Sequence, residues 1–218
     1  KVCSPTGAGG GGIQTSNGTL LVPGYHVDCN WMEFVESGRL GEREHSHIWR
    51  SDTHGKSWYL TPRFGPFTAE GTIVETFDGR LRYNFRVDCD GSGKDLLRPG
   101  WHGCAMNCSG GRWGSAAHCR RTAVSDTYGL SWTGFEDVPS LTDPGSKAGL
   151  VRWDAGKALV FVNDENDHGI RGRKNVSVKL SYDGRSWTRK AYIFMTPPSI
   201  DTTSGYATGQ MLDSNTLG

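Results

Sequence analysis

The chain has 218 residues, a formal net charge of +1 and 31 glycines, together with eight Trp, eight Phe and seven Tyr. The balance of 24 basic against 23 acidic residues gives no whole-chain attraction to nucleic acid or an anionic membrane. No stretch approaches the roughly 18 consecutive apolar residues of a membrane-spanning helix, and so many aromatic residues exclude a disordered chain. Abundant glycine and aromatic residues are typical of short strands joined by tight turns, so an all-β fold is predicted.

Three segments in chain order share one spacing: 51–58, 125–132 and the one-residue-shorter 181–187. Each contains a Ser, a small oxygen-bearing side chain, a Gly, a Ser and a Trp. This pattern predicts a hairpin tip, in which the side-chain oxygen binds backbone N–H groups and Gly takes a positive φ. The Trp is expected to anchor the turn to the sheet beneath it. The separation of the three segments allows one blade-sized antiparallel sheet for each turn.

The repeated segments resemble the Asp-box, S-x-D-x-G-x-[ST]-W, of sialidases, although Thr53 and Thr127 stand where that family has Asp. The segments between them are similar to sialidase strands in the same order; these are 11–14, 18–23, 69–75, 78–86, 141–144, 159–163, 173–178 and 204–206. The resemblance implies part of a six-bladed β-propeller, about four blades of four-stranded antiparallel sheets. On this resemblance, residues 1–218 are expected to form one incomplete propeller domain, with a Cys-rich insertion at about 88–121.

The same resemblance implies a set of site residues. Arg86 and Arg173 match the arginines that bind the substrate carboxylate, for which a guanidinium offers a planar, bidentate fork; Arg171 is an alternative to Arg173. Tyr206 matches the nucleophile and Glu70 the base that activates it, because a phenol with a pKa near 10 needs a base within hydrogen-bond reach. Glu75 is a weaker candidate than Glu70, since it is expected on the other side of the strand.

Cysteines and glycosylation sequons favour a secreted or extracellular protein, including a lysosomal or cell-surface one. An even number of cysteines suits a disulfide framework, with 15 connectivities open, whereas the spacing within 104–119 does not match common structural zinc sites. The residues concerned are Cys3, Cys29, Cys89, Cys104, Cys108 and Cys119, and the sequon asparagines Asn17, Asn107 and Asn175.

Two segments remain open to two interpretations each. The segment 88–121, with Trp101, His102 and Trp113, is either a stacking platform for further glycan units or a stabilised surface excursion. The acidic run 164–167 could bind calcium, but it lacks a regular ligand spacing, so a solvated loop before Arg173 is the preferred interpretation.

The function implied is that of part of an exo-α-sialidase, which removes terminal sialic acids with retention and needs no cofactor or metal. The expected partners are sialylated glycans and the remaining blades, from the same or another chain, with no nucleic acid. The family's first clamp arginine and its acid/base Asp precede the segments matched here, so the chain is predicted to be a fragment that is inactive alone. The alternative is a non-catalytic sialidase-like propeller that acts as a glycan-binding or structural module.

Overall fold

The computed structural model describes residues 7–27, 44–65, 68–86, 119–143, 146–165 and 175–194. These residues form thirteen strands, and no helix lies among them. The strands are β1 Gly7–Ala8, β2 Ile13–Gln14, β3 Leu20–Val27, β4 Glu44–Ser51, β5 Tyr59–Leu60, β6 Ala69–Glu75, β7 Leu81–Arg86, β8 Cys119–Ser125, β9 Thr133–Thr142, β10 Gly149–Trp153, β11 Ala158–Asp164, β12 Val176–Ser181 and β13 Arg189–Phe194.

The strands form three antiparallel sheets in chain order. The first sheet has the order β1-β3-β4-β5, with β2 also paired to β3; the second is β6-β7-β8-β9 and the third is β10-β11-β12-β13. Strand β6, the first of the second sheet, contacts β3 of the first sheet and β10, the first strand of the third sheet, so the sheets lie side by side around these strands. This is the radial arrangement of a β-propeller, and the predicted all-β, partial-propeller fold is confirmed.

The first two repeated turns are built by serine and threonine hydroxyls. Ser51 Oγ accepts hydrogen bonds from the N–H groups of Thr53 and Gly55 at 3.3 and 2.9 Å, and Thr53 Oγ1 accepts one from Ser57 N at 2.9 Å. The second turn repeats these bonds at Ser125 and Thr127 within 0.1 Å. Thr therefore performs the turn-forming role of Asp, because its hydroxyl reaches the same N–H group.

The third turn uses a carboxylate instead. Asp183 Oδ1 accepts hydrogen bonds from the N–H groups of Ser186 and Arg185 at 2.7 and 2.8 Å and from Ser181 Oγ at 2.9 Å. Burial alone would raise the pKa of Asp183, but these hydrogen bonds outweigh it and hold the pKa far below its usual range. Gly184 has a φ of 73°, as predicted for the turn glycine.

The turn tryptophans differ in how deeply they pack. Trp132 and Trp187 are buried in the layers between the sheets, as predicted. Trp58 is 41% exposed, and its indole N–H donates to the carbonyl of Gly55 at 3.0 Å. The prediction that every Trp anchors its turn is therefore wrong for the first sheet, whose outer strand β5 has only two residues and offers little surface to pack against.

Alternation along β7 divides the core into two layers. Leu81, Tyr83 and Phe85 point to the first sheet, where they pack with Leu21 and Ile48. The residues between them point to the third sheet. A second apolar layer fills much of that interface and contains Val74, Val138, Leu141, Ala148, Leu150, Leu159, Phe161 and Trp187. Because successive side chains of a strand point to opposite faces, one strand packs against both neighbouring blades.

Replacement of Asp52 by Asn is expected to reduce the acid sensitivity of the fold. Hydrogen bonds from Arg50, Tyr59 and Thr19 outweigh burial and lower the pKa of Asp52 from 3.8 to about 2. Because the folded-state pKa is depressed, the stabilisation is present above about pH 4 and is lost as the pH falls towards 2. Between pH 4 and pH 2 the variant should lose less free energy of unfolding, measured by urea titration, than the wild type. Equal losses would contradict the assigned role of Asp52.

Candidate active site

The site begins at a β-bulge in β6, the first strand of the second sheet. Ala69 pairs with Arg86 and Thr72 with Asn84, so β6 has one residue more than β7 over this stretch. Glu70 occupies the bulge with a φ of +30°, in the left-handed region that non-glycine residues rarely adopt. Bulges re-aim side chains and occur next to active sites, and backbone strain of this kind is a reason to examine Glu70 for function.

Glu70 forms an ion pair with Arg86 at the end of β7. Arg86 Nη1 donates to Glu70 Oε2 at 2.8 Å, with Glu70 6% exposed. The two side chains approach because the bulge sets Glu70 next to the residue that pairs with Ala69. The pair places a carboxylate, which can accept a proton, beside a guanidinium, which can bind an anion.

A second buried ion pair lies beside the first. Arg120 Nη1 is 3.6 Å from Asp143 Oδ1, and both side chains are almost fully buried. Arg120 Nε donates to Asn84 Oδ1 at 2.9 Å, which connects β8 to the strand that carries Arg86. Burial lowers the pKa of Arg120, although Asp143 opposes that effect. Arg120 was not among the site residues predicted from the sequence. The available signal was the adjacent pair Arg120–Arg121 in a strand, which places one guanidinium on each face of the sheet.

The other two predicted site residues, Arg173 and Tyr206, lie outside the described residues. The described strands that flank Arg173 in sequence are β11, which ends at Asp164, and β12, which begins at Val176 and pairs with that residue. Strand β13 precedes Tyr206 in sequence and ends beside the start of β12. The strands that precede Arg173 and Tyr206 in sequence, β11 and β13, therefore end at the same end of the third sheet. The convergence of Arg173 and Tyr206 on Glu70 remains a prediction.

Glu75, the weaker sequence candidate, has a different contact. Its carboxylate accepts hydrogen bonds from the N–H and the hydroxyl of Ser16, both at 2.7 Å. Ser16 belongs to the turn before β3, so this contact joins the first and second sheets. The role of Glu75 is therefore structural: its hydrogen bonds to Ser16 connect two blades.

The acidic run is only partly described, and that part corrects the sequence interpretation. Asp164 and Glu165 are buried rather than solvated. Glu165 forms ion pairs with Lys179 and Lys190 and accepts a hydrogen bond from Tyr192. Burial alone would raise the pKa of Glu165, but the two lysines hold it below its usual value. The lysines of β12 and β13 are thus the reason why this carboxylate can be buried, a compensation that a local acidic pattern could not reveal.

Among the residues that the structure describes, no three His, Cys, Asp or Glu side chains are arranged to hold a metal ion. None of the described segments is a helix with the length and hydropathy that a membrane crossing requires. Cys119, the cysteine within the described residues, is disulfide-bonded; the other five cysteines, with Trp101, His102 and Trp113, fall outside.

Comparison with solved structures identifies the architecture. Over 95% of its length the chain superposes on a Hadza microbial sialidase with a TM-score of 0.65 and 22% identity. The fold is sialidase-like. A leech intramolecular trans-sialidase matches over 95% of the chain with a TM-score of 0.61 and 18% identity. The sialidase of Trypanosoma rangeli, solved with the inhibitor DANA, matches over 93% with a TM-score of 0.58 and 19% identity.

The sialidase-like chain spans only about a third of the structures that it matches. It covers 33% of the Hadza microbial protein and 27% of both the leech and the T. rangeli proteins. No family model and no curated protein matches the sequence.

Proposed function

We propose that the protein containing this chain is an exo-α-sialidase that hydrolyses terminal sialic acids from glycoconjugates. The observation that carries the proposal is the Glu70–Arg86 ion pair, 2.8 Å long, in a bulged first strand of a sialidase-like propeller. Sialic acid carries a carboxylate on its anomeric carbon, and a guanidinium is the side chain best suited to bind it. Arg86, together with Arg173, binds this carboxylate.

Tyr206 acts as the nucleophile and Glu70 as its base. The Tyr206 oxygen attacks the anomeric carbon, and its proton passes to Glu70. The bond to the leaving oxygen breaks while an acid from elsewhere in the protein protonates that oxygen. Water then attacks the same carbon and gives its proton to the group that protonated the leaving oxygen. The bond to the Tyr206 oxygen breaks, and that oxygen recovers its proton from Glu70, so two inversions give net retention. A neutral phenol approaches the anionic substrate without the repulsion that a carboxylate nucleophile would experience.

An extracellular or other disulfide-permitting compartment is part of this proposal. A disulfide at Cys119, an even number of cysteines in the chain and three sequons support it. Sialylated glycans on secreted and cell-surface proteins would be the accessible substrates.

Release of a fluorogenic aglycone from a sialoside by the full-length protein tests the proposed activity. Turnover of the sialoside, with no turnover of the matching galactoside, is the expected result. Binding of sialylated glycans without turnover would instead support a propeller that serves as a glycan-binding module. Absence of both activities would contradict the proposal.

A further inference from the structure

Arg120 is the largest fully buried side chain among the described residues. It lies between the second and third sheets, where its Nη1 donates to the carbonyl of Ser146 at 2.8 Å and its Cζ lies 5.9 Å from the centre of the Phe161 ring. Ser146 belongs to the connection from β9 to β10, which passes from one blade to the next. Arg120 therefore joins three pieces of chain: its own strand, the inter-blade connection and, through Asn84, strand β7.

Burial of a guanidinium between two sheets costs desolvation free energy. Transfer from water disfavours the charge, and Nη2 of Arg120 has no hydrogen-bond partner among the described residues. Apolar side chains of similar size often stabilise such an interface better than a buried ion pair does. The neighbouring layer of this interface is indeed apolar. Packing alone does not account for an arginine at this position.

The pairing of β7 with β8 connects Arg120 to the candidate site. Phe85 pairs with Arg121, so Arg120 lies beside Arg86 on the face that both share with Asn84. The positive charge of Arg120 repels Arg86 and attracts Glu70. The repulsion favours an Arg86 guanidinium directed away from Arg120 and towards Glu70, to which it donates a hydrogen bond at 2.8 Å. The bond to Asn84 fixes the strand two residues before Arg86.

We propose that Arg120 is a positioning residue for the carboxylate clamp. It holds the end of β7 and, by charge repulsion, keeps the Arg86 guanidinium directed to the place where the substrate carboxylate binds. This inference rests on the proposed sialidase function. It adds a residue that does not touch the substrate but sets the selectivity of the site for an anionic sugar.

A change in the selectivity for a carboxylate distinguishes a positioning role of Arg120 from a purely structural one. The measurement compares the affinity of the full-length protein for N-acetylneuraminic acid with that for its C1 methyl ester, which lacks the charge. In an Arg120→Gln/Asp143→Asn variant, which removes both buried charges together, the preference for the acid should fall about tenfold. Arg120→Lys keeps the charge and should retain part of that preference. Arg121→Lys, on the opposite face and paired with Asp137 at 2.8 Å, is the matched control and should retain all of it.

Each result has a distinct meaning. A proportional loss of affinity for acid and ester in both Arg120 variants would show a structural role and overturn the inference. If the doubly substituted variant does not fold, an unchanged acid preference in Arg120→Lys has the same consequence. A wild-type protein that does not prefer the acid to the ester would contradict the proposed function itself, before any variant is considered.

Discussion

Replacement of Glu70 by Gln is expected to lower kcat for sialoside hydrolysis by about 10²–10⁴-fold in the full-length protein, because the amide cannot accept the phenol proton. Gln has the shape of Glu and can accept the hydrogen bond from Arg86 through its carbonyl oxygen. The fold and the binding of the substrate should therefore change much less than kcat. The measurement is a steady-state comparison of kcat and KM with a fluorogenic sialoside.

Glu75→Gln is the matched control for Glu70→Gln. It makes the same chemical change five residues further along β6, at a buried acid that contacts Ser16 rather than Arg86. The free energy of unfolding should fall by about 1–3 kcal/mol, since charge-assisted hydrogen bonds are weakened. Its kcat should remain near that of the wild type. Equal effects of the two substitutions on kcat would contradict the assignment of Glu70 as the base.

The second large effect is expected for Gly71→Ala, which changes stability. An added Cβ would lie 2.1 Å from Cε1 and Cζ of Tyr83, whose ring is completely buried. Tyr83 cannot yield easily, because it packs edge-to-face against Phe64 with ring centres 5.1 Å apart. A loss of about 3 kcal/mol in the free energy of unfolding is expected from this overpacking. Thermal unfolding should show a Tm lower by about 6–12 °C for a chain of this size.

Gly11→Ala is the control for Gly71→Ala. Nothing lies within 4 Å of a Cβ at Gly11, which is exposed, so the change in stability should stay within about 0.5 kcal/mol. If Gly71→Ala were equally mild, the close packing of the Tyr83 ring on Gly71 would be refuted.

The features that the sequence predicted correctly are mostly local. The turn at 125–132 needs only a serine, a threonine, a glycine and their own backbone, so its bonds follow from its residues. The positive φ of Gly184 likewise follows from its place in the turn. The resemblance to sialidases implies that Glu70 and Arg86 belong to one site, but their ion pair was not predicted, since spacing alone does not bring residues of two strands together.

The features that the sequence did not predict depend on contacts between distant segments. The bulge at Glu70 lies next to Gly71, against which the Tyr83 ring packs, and no local pattern in β6 predicts either feature. Arg120 acquires its role from Asp143 and Ser146, on the connection that leads to the next sheet. Glu165 is buried only because Lys179 and Lys190 come from two later strands.

Covalent trapping tests the central claim most directly. In the proposed mechanism, 2,3-difluorosialic acid, whose anomeric fluoride is a good leaving group and whose second fluorine slows hydrolysis of the intermediate, is expected to leave the sugar bound to the nucleophile. Intact-mass and peptide analysis of the full-length protein should show one added sugar on Tyr206, and none in Tyr206→Phe, which should also lose turnover. Sialoside turnover that persists in Tyr206→Phe, or an adduct on another residue, would contradict the proposed mechanism.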